Sequence, residues 1–558
     1  MSSGTVALQL LDGLREFGVD TVFGIPGGAL GPLYAALGER PEIRNVNAKH
    51  ETGAMFMAIG YAVATGRPGV VFTTAGPGIT NGITGLASAF YEGVPVIHIA
   101  GEVSRAAFGR GALQEGSSHA LDAVAMFRRF TKLSAQISRP GSASALLRKA
   151  LTTAFSGRRG PAFLSLPIDV ASAPAVKQPI SGGVRSSFDF DAAACRRAME
   201  LLETARRPLI LAGAGGRAFT SRRVLRRLAE HTGAAVAVTT KGKGVFPEDH
   251  PLYLGVFGFG GHDSVTDYLT NGVDVILVLG TGLNDFSTNA WSPLLKAQRA
   301  FIQVDIDAGQ LGKNYPIDLG LLGHIDAVLS RMLEHRSDAV SPPNLGLKGP
   351  AYQPVQPSPL GALTTAEVIE VMNETCPPSS LYTADMGEHL SVALHYLKVR
   401  EAGDFFTCLG FGSMGSGICS AIGYQMGMTD RRSYAICGDG GMLMFGGELA
   451  TAVQHNVPTT FVVINDSRMN MVHHGQRDIY GSTVDFSTQV VDFAAQARSV
   501  GADGYLIRTR DELREALSKK SQGPVVLDVR IDPDVRLQGS QRLAALRQFK
   551  AESATSHG

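Results

Sequence analysis

The sequence predicts an α/β protein of three domains, each a doubly wound parallel sheet, and three observations carry that prediction. The chain has 558 residues, more than one core accommodates, so roughly three domains of ~150–200 residues are expected. Short apolar segments alternate with amphipathic or apolar helical ones, the pattern of parallel strands joined by crossover helices. Two stretches bearing Pro, Ser and Gly, 171–187 and 336–360, break that alternation and read as links. The domains that follow are 1–175, 188–335 and 361–535.

In the first domain Asp20–Gly24, Ile43–Ala48, Val70–Thr74, Val94–Ala100 and Pro161–Pro167 read as strands, and Glu51–Thr65 and Asn81–Tyr91 as helices. The second opens on a strand, Arg207 to Ala212. A turn follows, Gly213-Ala214-Gly215-Gly216, which matches half of a dinucleotide fingerprint and is weak alone. The domain continues through Val273–Gly280 and Phe301–Asp307 to about Glu334. The third, from about Thr364 to Asp534, holds the clearest β-α-β unit: strand Ser433–Cys437, helix Met442–His455, strand Thr460–Ile464. Such crossovers join parallel strands. The polar tail carries one helical patch, Gln538–Lys550, and the first and third domains read as two variants of one architecture.

Composition excludes several classes. The net charge is +1 and basic residues form no long tract, which argues against nucleic acid or an anionic membrane as partner. Met1-Ser2-Ser3-Gly4 lacks the segments of a signal peptide, and no run of about 18 apolar residues suggests a membrane span. The five cysteines (195, 376, 408, 419 and 437) are scattered and lack CxxC spacing, so reduced thiols in a cytoplasmic protein are expected.

The chemistry gathers at strand ends. Gly438-Asp439-Gly440-Gly441 follows one strand of the β-α-β unit, and Asn465-Asp466 follows the other, 27 residues after Asp439. Both acids then lie at the carboxyl edge of neighbouring parallel strands, where open α/β sheets bind ligands. Two carboxylates there suit Mg²⁺, and the glycines let amides at a helix start approach a diphosphate. Glu51 stands in the first turn of a helix, where an acid can simply favour the helix dipole. The residues after it, Ala54 to Ile59, are all apolar, so its carboxyl group is expected to be poorly solvated, with a raised pKa fit for holding a proton. Gly76-Pro77-Gly78 with Thr80-Asn81 forms another strand–turn–helix loop, and Gln114-Glu115 lies in a glycine-rich loop facing either a site or solvent.

These pieces, with Gly412-Ser413-Met414-Gly415, occur in the order seen in thiamine-diphosphate enzymes. The chain resembles the acetohydroxyacid (acetolactate) synthase and pyruvate oxidase group of that family from about residue 5 to 530. The resemblance implies an N-terminal pyrimidine-binding domain, a central FAD-type domain, and a C-terminal diphosphate-binding domain. It implies a cofactor held between subunits of a homodimer or homotetramer. Glu51 would bond the aminopyrimidine and promote the imino tautomer that takes the C2 proton. Met414 would wedge beneath the cofactor. Gly76, Asn81, the backbone at Met386, Glu388, His389, Gly438, Gly440, Gly441 and Met471 would hold it. Asp439, Asp466 and the carbonyl of Arg468 would bind Mg²⁺. A small 2-keto acid such as pyruvate would lose CO₂, and its acyl-anion unit would pass to an acceptor, with Gln114, His473 and His474 as further catalytic groups.

Departures from the family pattern bear on the acceptor. Asp466 and Glu388 stand where the family usually has Asn and Gln, adding negative charge near the diphosphate. The stretch Gly282-Leu283-Asn284-Asp285-Phe286 lacks the arginine that touches FAD and the acceptor carboxylate in acetohydroxyacid synthases, which leaves FAD binding open. The pocket tryptophan aligns with Gly475. Lys241, where the family often has an apolar pocket residue, reads as a surface lysine or a replacement cation. Losing a large ring and a bidentate clamp points to a non-standard, larger acceptor. The alternatives are an acetolactate synthase with unusual pocket residues, a flavin-coupled oxidase, or a non-catalytic relative.

Overall fold

The computed structural model describes residues 4–176, 191–338 and 341–539. The helical patch expected at Gln538–Lys550 falls almost wholly outside the described residues, as does most of the link expected at 171–187.

Three six-stranded sheets, all parallel, form the frame. The first comprises β1 (Thr21–Gly24), β2 (Arg44–Asn47), β3 (Gly69–Thr73), β4 (Val96–Glu102), β5 (Leu133–Gln136) and β6 (Ala162–Pro167), in the order β2-β1-β3-β4-β6-β5. The second holds β7 (Pro208–Ala212), β8 (Ala235–Thr239), β9 (Tyr253–Phe257), β10 (Val275–Leu279), β11 (Ala300–Asp305) and β12 (Leu319–Leu322), ordered β12-β11-β10-β7-β8-β9. The third holds β13 (Leu381–Ala384), β14 (Asp404–Phe406), β15 (Ser433–Gly438), β16 (Thr460–Asn465), β17 (Asp503–Ile507) and β18 (Val525–Arg530), ordered β14-β13-β15-β16-β18-β17. The first and third sheets have one topology, as their sequences suggest. The second has the dinucleotide-binding order. The strands are apolar runs because helices cover both faces: β3, β4, β7, β10 and β16 are buried throughout.

In the first and third sheets strand order reverses between β1 and β3, and between β13 and β15. Loops diverge there and leave a crevice at the carboxyl ends. The two domains also share one core. The helix Glu51–Thr65 crosses the helix Ser416–Gly427, and Phe56, Met57 and Ile59 pack with Ile418, Cys419 and Ile422. Each such side chain contributes about 1.5–3 kcal/mol on burial. The backbones nearly touch: a Cβ on Gly423 would overlap the Met57 carbonyl oxygen, and one on Gly60 that of Ser420. The central domain has its own cores and docks through Arg217 and Arg222, which reach Asp404 at 3.2 and 2.6 Å.

One helix expected as continuous is broken at glycines: Met442–His455 is instead a helix Asp439–Phe445, a 3₁₀ turn Gly446–Glu448 and a helix Leu449–Gln454. The helix expected at Asn81–Tyr91 runs Ile83–Glu92, and a short helix, Pro77–Asn81, precedes it across Gly82. All five cysteines are buried and unpaired. Among the described residues no helix is long and apolar enough to cross a membrane.

Candidate active site

The register of the third sheet brings the two acids together. Gly438 pairs with Ile464 across β15 and β16, so Asp439 and Asp466 follow at the same edge. Asp439 accepts from the Gly440 amide (2.8 Å) and from Thr488 Oγ1 (3.4 Å). Asp466 accepts from the Arg468 amide (3.1 Å) and Asn470 Nδ2 (2.6 Å). Burial raises the pKa of both, and burial together with the charges of Asp439 and Glu388 pushes Asp466 up to about 7. Two crowded carboxylates that resist ionising fit a divalent cation, which would relieve both burial and repulsion. Among the described residues no group of three or more His, Cys, Asp or Glu side chains is set to hold a metal. The protein can therefore offer two carboxylates and a carbonyl such as that of Arg468, which already accepts the Asn470 amide at 2.8 Å. An octahedral ion would need phosphate and water oxygens besides.

Around these acids lies a cradle for an anion. Asp439, Gly440 and Gly441 form the first turn of a helix, whose amides have no partner within the helix and favour negative charge. A Cβ on Gly440 would sit 3.0 Å from Met414 Cε and 2.9 Å from Met469 Sδ, so Met414 stands over the loop. His389 lies 3.2 Å from where a Gly438 Cβ would be; its Nε2 is buried without a partner, and burial lowers its pKa to about 4. A buried nitrogen left open beside an amide cradle fits a bound diphosphate. Met386 is half-buried, 3.5 Å from the Cβ position of Gly412.

A residue absent from the expectations ties these parts together. Asp385 follows β13 at the reversal point and is fully buried. Its carboxylate accepts the amides of Gly415 (2.8 Å) and Gly417 (2.9 Å), so it holds the loop carrying Met414. Burial raises its pKa to about 6 against those bonds. An acid at the end of an apolar strand is the signal that pointed to Asp439, and Thr383-Ala384-Asp385-Met386 carries it too.

The helix Asn470–Tyr480 supplies Met471, His473, His474 and Gly475. His474 is buried and bonds Glu388 through Nδ1 (2.9 Å), so the added charge of Glu388 meets an imidazole. His473 Nδ1 lacks a partner, and desolvation with nearby Arg468 lowers its pKa. Of the two, His473 is the one left open. Met471 is half-buried on the same helix, and a Cβ on Gly475 would meet nothing within 4 Å. The Arg468 side chain points away from the acids, bonding Asp534 (2.7 Å) and Asn470 (2.6 Å).

The first domain gathers a second group. Glu51 is 8% exposed, opens its helix, and accepts from Asn81 Nδ2 at 3.0 Å. Its Oε1 lies 3.5 Å from the Cβ position of Gly78. Gln114, exposed and in the left-handed region at φ 64°, abuts Gly76, whose Cβ would lie 2.8 Å from that of Gln114. Glu115 turns inward and accepts the Gly109 amide at 2.7 Å.

Lys241 is neither a surface lysine nor a free cation. It pairs with buried Glu92 at 2.7 Å, and Glu92 also accepts the Gly410 amide at 2.5 Å, joining all three domains. At the central sheet's reversal point, between β7 and β10, the turn Gly213–Gly216 packs directly on Gly280, with the Gly215 amide donating to the Gly280 carbonyl at 3.0 Å. Its loop 282–286 brings no cation, and Arg217 is engaged with Asp404 and the Lys241 carbonyl (2.9 Å). The residues present do not supply the arginine contact that the resemblance assigns to FAD.

Comparison with known proteins shows the family. Residues 4–126 match "Thiamine pyrophosphate enzyme, N-terminal TPP binding domain", residues 195–332 the central domain, and residues 385–529 the C-terminal TPP binding domain of the same family. An acetolactate synthase large subunit from Parasynechococcus marenigrum is 32% identical over 546 residues, covering 94% of this chain and 87% of the relative. The isozyme 2 large subunit of Escherichia coli is 29% identical over 533 residues, covering 94% and 95%. In fold, the chain is similar to a thiamine diphosphate-dependent 4-hydroxybenzoylformate decarboxylase of Rhodococcus jostii RHA1, with a TM-score of 0.84 at 23% identity, covering 95% of this chain and 99% of that one. The chain belongs to the thiamine pyrophosphate-dependent enzymes, in the acetohydroxyacid synthase and pyruvate oxidase group.

Proposed function

We propose that the protein is a Mg²⁺- and thiamine diphosphate-dependent carboligase that decarboxylates pyruvate, or a similar small 2-keto acid, and transfers the acyl unit to an acceptor larger than a second pyruvate. The bound cofactor supplies the carbon nucleophile and the electron sink for loss of CO₂. The chain's own residues bind and orient. Asp439, Asp466 and the Arg468 carbonyl would hold the cation, and amides at Gly438, Gly440 and Gly441 would receive the diphosphate. Glu51, held by Asn81 in apolar surroundings, would hold a proton toward the ring of the bound cofactor. Met414, on the loop fixed through Asp385, would contact and orient the bound cofactor. Gln114 and His473 face the reacting groups, and His474 orients Glu388.

A second copy completes the site in this reading, as a homodimer or homotetramer. Apolar side chains beside each half-site support it: Leu113, next to Gln114, is 85% exposed, and Met444, on the helix that starts at Asp439, is 61% exposed. The five buried thiols fit a reducing, cytoplasmic setting. No step uses a flavin.

The single observation that carries the choice of acceptor is Gly475, which leaves open space on the pocket helix. Labelled pyruvate with Mg²⁺ and thiamine diphosphate tests it. Slow CO₂ release that accelerates when bulkier aldehydes or 2-keto acids are added is expected. Rapid acetolactate formation from pyruvate alone would refute the larger acceptor and make the protein an acetolactate synthase.

A further inference from the structure

The helix Asp439–Phe445 and the turn Gly446–Glu448 begin at the loop after β15 and end against the first domain. Glu448 is 1% exposed. Its two carboxylate oxygens accept the Lys49 amide at 3.0 and 3.1 Å, and Oε1 also accepts the His50 amide at 2.9 Å. Thr451 Oγ1 donates to Oε2 at 2.7 Å. Those two amides lie immediately before the helix Glu51–Thr65, so a buried carboxylate sits against the positive end of the helix that carries Glu51. A Cβ on Gly53, within the first turn, would overlap Glu448 Oε1. Phe445 adds a second link. Its ring lies 6.1 Å from that of His50 and 5.7 Å from that of Phe56, and occupies the space a Cβ on Gly415 would need, one residue beyond Met414.

We propose that Glu448 is a positioning residue for Glu51, and that the segment Phe445–Glu448 couples the filling of the Asp439–Asp466 site to the placement of the Glu51 carboxyl group. The inference rests on the functional reading above. Glu448 touches neither cofactor nor substrate. A cation on Asp439 fixes the start of a short helix whose far end is bonded to the start of another, so movement at one end is carried to the other. Both ends belong to one chain. In a dimer whose cofactor lies between Glu51 of one copy and Asp439 of the other, the segment therefore connects two different active sites.

The test uses Glu448→Gln, which keeps one acceptor oxygen, and Gly53→Ala, which displaces the carboxylate without removing its charge. Three quantities are read: amide hydrogen exchange over residues 47–58 in the cofactor-free protein, the affinity for Mg²⁺ and thiamine diphosphate, and deuterium exchange at C2 of bound thiamine diphosphate. Both variants are expected to speed amide exchange and to slow C2 exchange by roughly tenfold or more, the worth of one charge-assisted hydrogen bond, with cofactor affinity within about threefold of the parent. Unchanged amide exchange, or faster amide exchange with unchanged C2 exchange, would overturn the inference alone. A parent protein that binds no thiamine diphosphate would overturn the functional reading and the inference together.

Discussion

Asp466→Asn removes one of two crowded carboxylates and leaves the other. In the cation-free protein Asp466 has its pKa raised from 3.8 to about 7, first by burial and then by Asp439. At about 1.4 kcal/mol per pH unit, that rise corresponds to at most about 4 kcal/mol. A carboxyl group raised in the folded state binds protons more tightly there than in the unfolded chain. Its contribution is therefore complete at low pH, and stability falls as pH climbs from near 4 to near 7. A bound cation must displace that proton. Calorimetric titration with Mg²⁺ and thiamine diphosphate, in buffers of different ionisation enthalpy, counts it. Relative to Asp466→Asn, the parent is expected to release about 0.9 extra protons at pH 6, about 0.5 at pH 7 and about 0.1 at pH 8. Its affinity for the ion should rise about tenfold per pH unit below 7 and level off above. The variant's affinity should be weaker at pH 8 and flatter with pH. Equal proton release by parent and variant at every pH would refute the reasoning.

Gly475→Trp places a ring where a Cβ meets nothing within 4 Å, so the fold should stand while turnover with bulky acceptors drops at least about tenfold and pyruvate gains as acceptor. Product analysis on acceptor mixtures reads this, and unchanged product ratios would contradict it. Gly423→Ala would normally strengthen a helix, but its Cβ overlaps the Met57 carbonyl. The clash should win, costing about 1–3 kcal/mol, seen as a lower denaturation midpoint. Asp385→Ala leaves the Gly415 and Gly417 amides without an acceptor, about 1–3 kcal/mol each. Thiamine diphosphate affinity should fall together with turnover, measured by calorimetry and CO₂ release.

The sequence makes legible whatever is local or periodic. The β-α-β unit fixes which strand edge receives Asp439 and Asp466, and the observed parallel pairing of β15 with β16, Gly438 beside Ile464, is consistent with it. The common topology of the first and third sheets is likewise visible in their alternation. Helix ends were misread where glycines permit a break without demanding one, as at Gly82 and Gly446. Contacts across hundreds of residues leave no local signal. Glu448 meets Lys49 399 positions away, and Lys241 meets Glu92 in another domain. A lysine whose partner is remote in sequence looks like a surface lysine. His473 and His474 are neighbours on one helix and so face different ways, yet which one meets Glu388 depends on how that helix docks.

The central claim is that Glu51 and the Asp439–Asp466 site together run the decarboxylation of a small 2-keto acid. Its most direct test is CO₂ release from carboxyl-labelled pyruvate by the parent protein and by Glu51→Gln, each with and without Mg²⁺ and thiamine diphosphate. Release that needs both additions and falls at least about a hundredfold in Glu51→Gln is predicted. Equal release by parent and variant, or no release from pyruvate or any other small 2-keto acid, would contradict it.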